Sequence, residues 1–115
     1  MAARILPAVN DTPFTLAVFR VEASQHAAFK VAWMALCTAF LHLPRPPAGP
    51  MSLIQSADDP EVFQSLGPWH STRDIEAMRA DPEIVPLMQA MMSHCKEGKP
   101  GLFHLLEVVP DRAQT

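Results

Sequence analysis

The sequence predicts one α+β domain in which the elements follow the order β-α-β-β-α-β. Three observations predict it: 49% of the 115 residues are hydrophobic, strand-like segments alternate with stretches of helical periodicity, and Pro and Gly separate them. A chain of this length can bury a compact core. We therefore expect a domain at residues 14 to 109, with an N-terminal extension at 1 to 13 and a C-terminal tail at 110 to 115.

The first two elements are a strand and a long helix. Residues 14 to 22 are rich in β-branched and aromatic residues, which favours a strand with two apolar faces. Ser24 is a suitable cap for a helix that runs to about residue 42, where a Pro-rich segment begins. The apolar stripe of this helix contains Phe29, Trp33, Leu36, Cys37 and Phe40.

The middle of the chain predicts a β-hairpin. Apolar segments at residues 51 to 57 and 61 to 69 flank the sequence Asp58-Asp59-Pro60. Asp and Pro suit a tight reversal of the chain, so the two segments should pair as antiparallel strands.

Two helix starts and a last strand follow the hairpin. Ser71 with Asp74 resembles a capping box, and Asp81-Pro82 places a cap before a first-turn Pro. The second of these helices should end near Gly98, and residues 102 to 109 should form the fourth strand. This order is that of a ferredoxin-like unit, an antiparallel sheet with both helices on one face.

The predicted sheet carries apolar residues on both faces. Because the helices cover only one face, the other face would leave a large apolar surface in water, which is unusual for a soluble monomer. A second copy of the chain is the simplest cover. The sequence therefore predicts a homodimer that forms through the sheet face.

Charge limits the possible partners. Nine basic and twelve acidic side chains give a net charge of −3, and no Lys/Arg cluster is present that could attract a nucleic acid or an anionic membrane. We expect neither partner and favour a small apolar or aromatic ligand. The first residues lack the apolar run of a signal peptide, and no segment is apolar enough to span a bilayer, so a cytoplasmic protein is expected.

No metal site is predicted. Cys37 and Cys95 lie far apart and lack Cys-x-x-Cys spacing, so they are expected to be buried reduced thiols. The histidines do not share the i, i+4 spacing of a helix-borne metal site, and they form no compact cluster with carboxylates.

The segment from Gln55 to Glu83 resembles part of a known family. It contains an apolar strand, an acidic turn that ends in Pro60, and a strand that closes on Trp69 just before Ser71. In these features the chain resembles the antibiotic-biosynthesis-monooxygenase-like family of small dimeric α+β barrel proteins. The resemblance spans residues 14 to 109, and it implies a ferredoxin-like fold in which two sheets close face to face.

The resemblance also implies a reaction. Characterised members include cofactor-independent oxygenases of aromatic polyketides and quinols, and also haem-degrading enzymes. In the oxygenases a pocket between sheet and helices holds a polycyclic phenol, whose anion passes an electron to oxygen. The resemblance thus implies a monooxygenase acting on an aromatic, phenolic or quinol-type metabolite without metal or flavin. The alternative is a non-catalytic dimeric module of the same fold that binds a small ligand or serves a stress response.

The chain departs from two groups of relatives. It has no Tyr, which excludes the Tyr-dependent mechanism of some quinol oxygenases. Its single Asn, Asn10, precedes the first strand, and Met78, Arg79 and Ala80 stand where haem-degrading relatives have a His. Haem degradation is therefore not expected.

Three residues are the main candidates for chemistry. Trp69 matches the motif Trp of the family, and it would either stack on a flat ligand or anchor the hairpin. His104 and His26 are the acid-base candidates because imidazole titrates near neutral pH. His104 should be a pocket base or a core imidazole bonded to the backbone, and His26 should face the pocket mouth or solvent.

Four further residues complete the predicted substrate-binding set. Phe29 and Trp33 belong to the apolar stripe of the first helix. Met88, with its neighbours, would either line an adaptable pocket or belong to the core. Arg79 would either orient an enolate or carboxylate or be an exposed helix charge.

Overall fold

The computed structural model describes residues 11–112, in which helices pack on one face of an antiparallel sheet. The elements are β1 (Pro13–Arg20), α1 (His26–Phe40), β2 (Ser52–Gln55), β3 (Val62–Pro68), α2 (Thr72–Ala80), α3 (Ile84–Met92) and β4 (Glu97–His104). The strands are arranged in the order β2-β3-β1-β4, and every neighbouring pair is antiparallel. This is the ferredoxin-like α+β architecture that the sequence predicts, so the predicted fold class is confirmed.

Most of the predicted extension and the end of the predicted tail lie outside the described residues. Residues 11 and 12 run beside the segment that follows β4: the Asp11 amide donates to the Leu105 carbonyl at 2.9 Å, and the Leu105 amide donates to the Thr12 carbonyl at 2.8 Å. None of the helices in the described range has both the length and the apolar character needed to cross a membrane.

Helix α1 has the predicted position but not the predicted cap. Ser24 belongs to a short 3-10 turn, Ala23–Gln25, and no side chain caps either this turn or α1. Instead the Gln25 amide donates to the Glu22 carbonyl at 2.8 Å. The tight turn supplies a backbone partner where a cap would otherwise be needed, so the prediction of a Ser24 cap was wrong.

The hairpin and the start of α2 are confirmed, whereas α3 begins later than predicted. Ser56 Oγ accepts hydrogen bonds from the Asp58 and Asp59 amides at 3.2 and 3.0 Å, which fixes the turn between β2 and β3. Ser71 Oγ caps α2 by accepting from the Asp74 amide at 3.1 Å. Asp81 Oδ1 accepts from the Glu83 amide at 2.8 Å in the turn before α3. Glu83 is the N-cap of α3 and no side chain caps this helix, so the prediction of an Asp81 cap was wrong.

Strand β4 lies five residues earlier than predicted. It spans Glu97–His104, whereas the mostly apolar residues 105 to 109 continue beyond the sheet. Gly98 and Gly101, which the prediction assigned to the end of a helix, lie inside this strand, and so does Pro100, opposite Ala17 of β1. An edge strand tolerates Pro because its backbone nitrogen can face away from the ladder.

The core lies between the inner face of the sheet and the helices. Phe19 of β1 and Phe63 of β3 are paired in register, and Phe29 of α1 packs against both, with ring centroids 5.3 and 5.2 Å apart. At the other end of the core, the Phe40 ring meets the Trp69 ring edge to face at 5.2 Å. These aromatic contacts hold α1 against the sheet.

The outer face of the sheet is also apolar, as predicted. Phe14, Leu16 and Val18 alternate with the core-facing residues of β1. In a single chain no helix covers this face: Ile54 is 53% exposed and Phe103 is 52% exposed. The apolar outer face is therefore confirmed for β1, whereas β4 places Lys99 and Glu97 on this face, opposite Val18 and Arg20. The homodimer stays a prediction.

Candidate functional site

A cavity of about 240 Å³ lies between the inner face of the sheet and the helices. Short side chains on the sheet leave this space: Thr15 and Ala17 of β1 lie in register with Gly67 and Ser65 of β3. The next inner-face pair is Phe19 with Phe63, and the cavity ends at these two large rings. The space is thus produced by a change from large to small residues along two neighbouring strands.

Methionines form much of the cavity wall. Met78 comes from α2, and Met88, Met91 and Met92 come from α3, while Met51 precedes β2. Methionine side chains are unbranched and polarizable, so they adapt to ligands of different shape. The wall is therefore apolar and adaptable in shape.

Two hydroxyl groups on the sheet are bonded to the two indoles. Trp33 Nε1 donates to Ser65 Oγ at 2.8 Å, and Trp69 Nε1 donates to Thr15 Oγ1 at 3.1 Å. Trp33, Ser65 and Thr15 all line the cavity. These bonds fix polar atoms in a surface that is otherwise apolar.

Among the described residues, Arg79 is the one charged side chain in the cavity lining. It lies in the last turn of α2, it is exposed, and it forms no ion pair with another described residue. A guanidinium group at this position can stabilise an anionic oxygen of a ligand.

Cys37 also lines the cavity. Burial raises the pKa of Cys37 to about 12, and burial raises the pKa of Cys95 to about 11. Both thiols are therefore protonated at neutral pH. They form no disulfide with each other, as expected, but they are half-buried and not fully buried.

Three of the predicted substrate-binding residues line the cavity: Trp33, Met88 and Arg79. Trp69 and Phe29 are fully buried and do not belong to the described lining. Trp69 contacts a lining residue without lining the cavity itself, because its indole N–H donates to the Thr15 hydroxyl. Of the two alternatives for Trp69, this arrangement corresponds to the structural anchor and not to a ring that stacks on a ligand.

The two predicted acid-base histidines lie outside the described cavity lining. His26 Nε2 donates to the Val21 carbonyl at 2.8 Å, and its ring meets Phe63 edge to face at 4.9 Å. His104 is exposed at the end of β4, opposite Pro13. In a single chain, neither imidazole is positioned to take a proton from a ligand in this cavity.

The lining residues that the sequence reasoning missed include Thr15, Ser65, Met51 and Met78. The signal for the two hydroxyl residues was their place on the inner faces of adjacent strands, where short side chains leave room. No group of three or more His, Cys, Asp or Glu side chains within residues 11–112 is arranged to hold a metal ion.

Comparisons with known proteins identify relatives by structure and not by sequence. No family model and no curated protein matches the sequence. SnoaB from Streptomyces nogalater, a cofactor-independent oxygenase, superposes with a TM-score of 0.76 at 18% identity, over 88% of this chain and 99% of SnoaB. A candidate antibiotic biosynthesis monooxygenase from Nitrosomonas europaea gives 0.70 at 19% identity, over 83% of this chain and 90% of that chain.

A third structure extends the comparison. A candidate antibiotic biosynthesis monooxygenase from Deinococcus radiodurans gives a TM-score of 0.71 at 11% identity, over 86% of this chain and 97% of that chain. At such low identity these similarities establish the fold. The chain therefore has the ferredoxin-like architecture of the antibiotic biosynthesis monooxygenase structures, as the resemblance of residues 55 to 83 implied.

Proposed function

We propose that this protein is a cofactor-independent monooxygenase that binds a small aromatic, phenolic or quinol-type metabolite in the methionine-lined cavity. The observation that carries the proposal is the cavity itself, an adaptable apolar space between sheet and helices with Arg79 among its lining residues. The shared fold with SnoaB, described as a cofactor-independent oxygenase, supports the same reaction class.

The lining favours a flat ring as the ligand. Trp33 offers an indole for contact with a ring, and the methionine thioethers make favourable contacts with aromatic edges. An apolar lining with few polar groups is typical of sites for small organic ligands. A volume of about 240 Å³ suits a small ligand and not a large conjugate.

The reaction would begin with ionisation of the bound phenol or enol. Its proton would pass to water at the cavity mouth, and Arg79 would stabilise the anion that remains. The anion then reduces O₂, and one oxygen atom replaces two hydrogens on a ring carbon as a carbonyl. The other oxygen atom leaves as water, so that anthrone and O₂ give anthraquinone and water. All the electrons come from the substrate.

A non-catalytic binding module is the second proposal. One observation favours it: no histidine or carboxylate belongs to the described lining, and the Cys37 thiol stays protonated. Such a cavity can hold an apolar ligand without a general base. The two proposals predict the same binding but different consumption of oxygen.

Oxygen uptake by metal-free protein distinguishes them. We expect turnover of anthrones, naphthols or hydroquinones above the uncatalysed rate, and a fall of about 10-fold or more in Arg79→Gln, because a charge-assisted hydrogen bond to the anion is lost. Arg73→Gln, which changes an exposed arginine on the same helix, is the matched control and should leave the rate unchanged.

Calorimetry with the same compounds separates binding from turnover. Binding without oxygen uptake would contradict the oxygenase and leave the binding module. If none of the compounds binds, both proposals are wrong for this class of ligand.

A further inference from the structure

We propose that the hydroxyl groups of Thr15 and Ser65 form a hydrogen-bond donor site on the floor of the cavity, which selects ligands that carry a carbonyl or phenolate oxygen. This inference rests on the proposed ligand-binding cavity and adds the chemistry of the ligand. It concerns which rings bind and not how they react.

The direction of the two indole bonds is fixed by chemistry. An indole N–H can only donate, so the hydroxyl oxygen must accept in each pair. Trp33 is thus the donor to Ser65 at 2.8 Å, and Trp69 is the donor to Thr15 at 3.1 Å. Both indoles are buried, with Trp69 at 0% and Trp33 at 8% exposure, so water does not compete for these bonds.

The hydroxyl protons remain available. A Ser or Thr hydroxyl has one proton to donate, and among the described residues neither Thr15 nor Ser65 donates from its side chain to a protein acceptor. Accepting a bond polarises a hydroxyl and makes it a better donor. Because both residues line the cavity, each proton can be offered to a ligand.

The two donors lie on the same face of neighbouring strands. Thr15 pairs with Gly67, and Ser65 pairs with Ala17, so the hydroxyl residues are diagonal neighbours. Diagonal positions in an antiparallel pair are about 7–8 Å apart. A ring with oxygens at two positions could therefore reach both donors, whereas a hydrocarbon ring could reach neither. The site favours quinone carbonyls and ionised phenols.

A matched pair of probes tests this selectivity: α-tetralone, a ketone that does not alkylate thiols, and tetralin, which lacks the oxygen. Calorimetry on the wild type should show that the ketone binds about 3- to 10-fold more tightly, as expected for one net hydrogen bond. The double variant Ser65→Ala, Thr15→Val should abolish this preference without weakening tetralin, and at least one of the two single variants should reduce it, because one carbonyl oxygen engages one donor at a time. Thr15→Ser, which keeps the hydroxyl, should preserve it, as should the exposed controls Ser52→Ala and Thr38→Val.

Infrared spectroscopy of the bound ketone gives a readout that a purely structural role would not change. Donation to the carbonyl should shift its stretching band to lower frequency in the wild type, and less so in the Ser65→Ala, Thr15→Val double variant. If the ketone and the hydrocarbon bind equally and the band does not move, the proposed donor site is wrong, but the proposal that the cavity binds ligands is retained. If neither probe binds, the donor site and the proposed cavity function are both overturned.

Discussion

Polar atoms are scarce in the cavity, so each one strongly affects what can bind. The hydroxyls of Thr15 and Ser65 are held by buried indoles, and Arg79 supplies the positive charge. A polar group that loses water without gaining a partner costs about 1–3 kcal/mol. A ligand that covers the hydroxyls therefore binds more weakly by this amount unless it carries an acceptor oxygen.

The two cysteines predict how stability changes at alkaline pH. Burial raises the pKa of Cys37 to about 12 and that of Cys95 to about 11, from an ordinary value of 9.0. The unfolded chain loses these protons at a lower pH than the folded chain. The contribution of the two protonated thiols to the free energy of unfolding is therefore complete below the ordinary pKa and is lost as the pH rises through 11 to 12. We expect urea unfolding to show a steeper alkaline loss of stability in the wild type than in a Cys37→Ala, Cys95→Ala double variant.

The composition makes this comparison clean. The chain has no Tyr, so phenol ionisation does not contribute, and lysine titration is common to both proteins. Parallel stability curves from pH 8 to about pH 10.5 would contradict the raised thiol pKa values.

At the residue scale, the sequence predicts which face a side chain lies on more reliably than which residues that side chain contacts. The helical periodicity predicted that Trp33 and Met88 lie on inward faces, and both line the cavity. The motif alone could not separate the two alternatives for Trp69, because the outcome depends on the Thr15 hydroxyl, which lies 54 positions away in the chain. Long-range contacts of this kind leave no local pattern.

At the element scale, the boundaries of β4 show where local patterns fail. The residues from 105 to 109 have the composition of a strand, but within the described residues they extend past the sheet, and Leu106 is 68% exposed. The true strand contains Gly98, Pro100 and Gly101, which local propensity disfavours. Pairing with β1 and close packing against the core override that propensity. By contrast, the hairpin was predicted correctly because its turn chemistry is local.

Gly98 shows why a glycine is required in β4. A Cβ at this position would lie 2.6 Å from Met92 Cε and 3.0 Å from Phe19 Cδ1. Met92 can move, but Phe19 is only 4% exposed and is fixed in the core. We expect Gly98→Ala to lower the free energy of unfolding by about 1–3 kcal/mol, as overpacking does.

Urea denaturation of the wild type, Gly98→Ala, Met92→Ala and the double variant identifies the cause of this loss. If the crowding arises from the Met92 thioether, Met92→Ala should restore part of the stability of Gly98→Ala, and the two changes should not be additive. Additive effects would show that Met92 is not the source of the strain. An unchanged stability in Gly98→Ala would show that the sheet accommodates the added methyl group.

At the scale of the whole molecule, helices cover only one of the two faces of the sheet. The helices cover the inner face, while the outer face exposes Val18 at 37%, Ile54 at 53% and Phe103 at 52%. Covering such side chains gains about 25 cal/mol for each Å² of apolar surface removed from water. We therefore propose that two copies of the chain pack through their outer faces.

A single charge at the centre of the outer face tests this assembly. Val18 lies on the central strand β1 and pairs in register with Gln64 and Lys99, so a glutamate at this position has no like charge as a register partner. Sedimentation equilibrium of the wild type should give twice the chain mass of 12.7 kDa, and Val18→Glu should give the single-chain mass, because dimerisation would remove two carboxylates and the neighbouring Lys99 side chains from water. The matched control is Val31→Glu on α1, where the valine is 72% exposed and points away from the sheet, and it should remain a dimer. A wild type that sediments as a monomer, or a Val18→Glu variant that stays dimeric, would place any contact between copies on another surface.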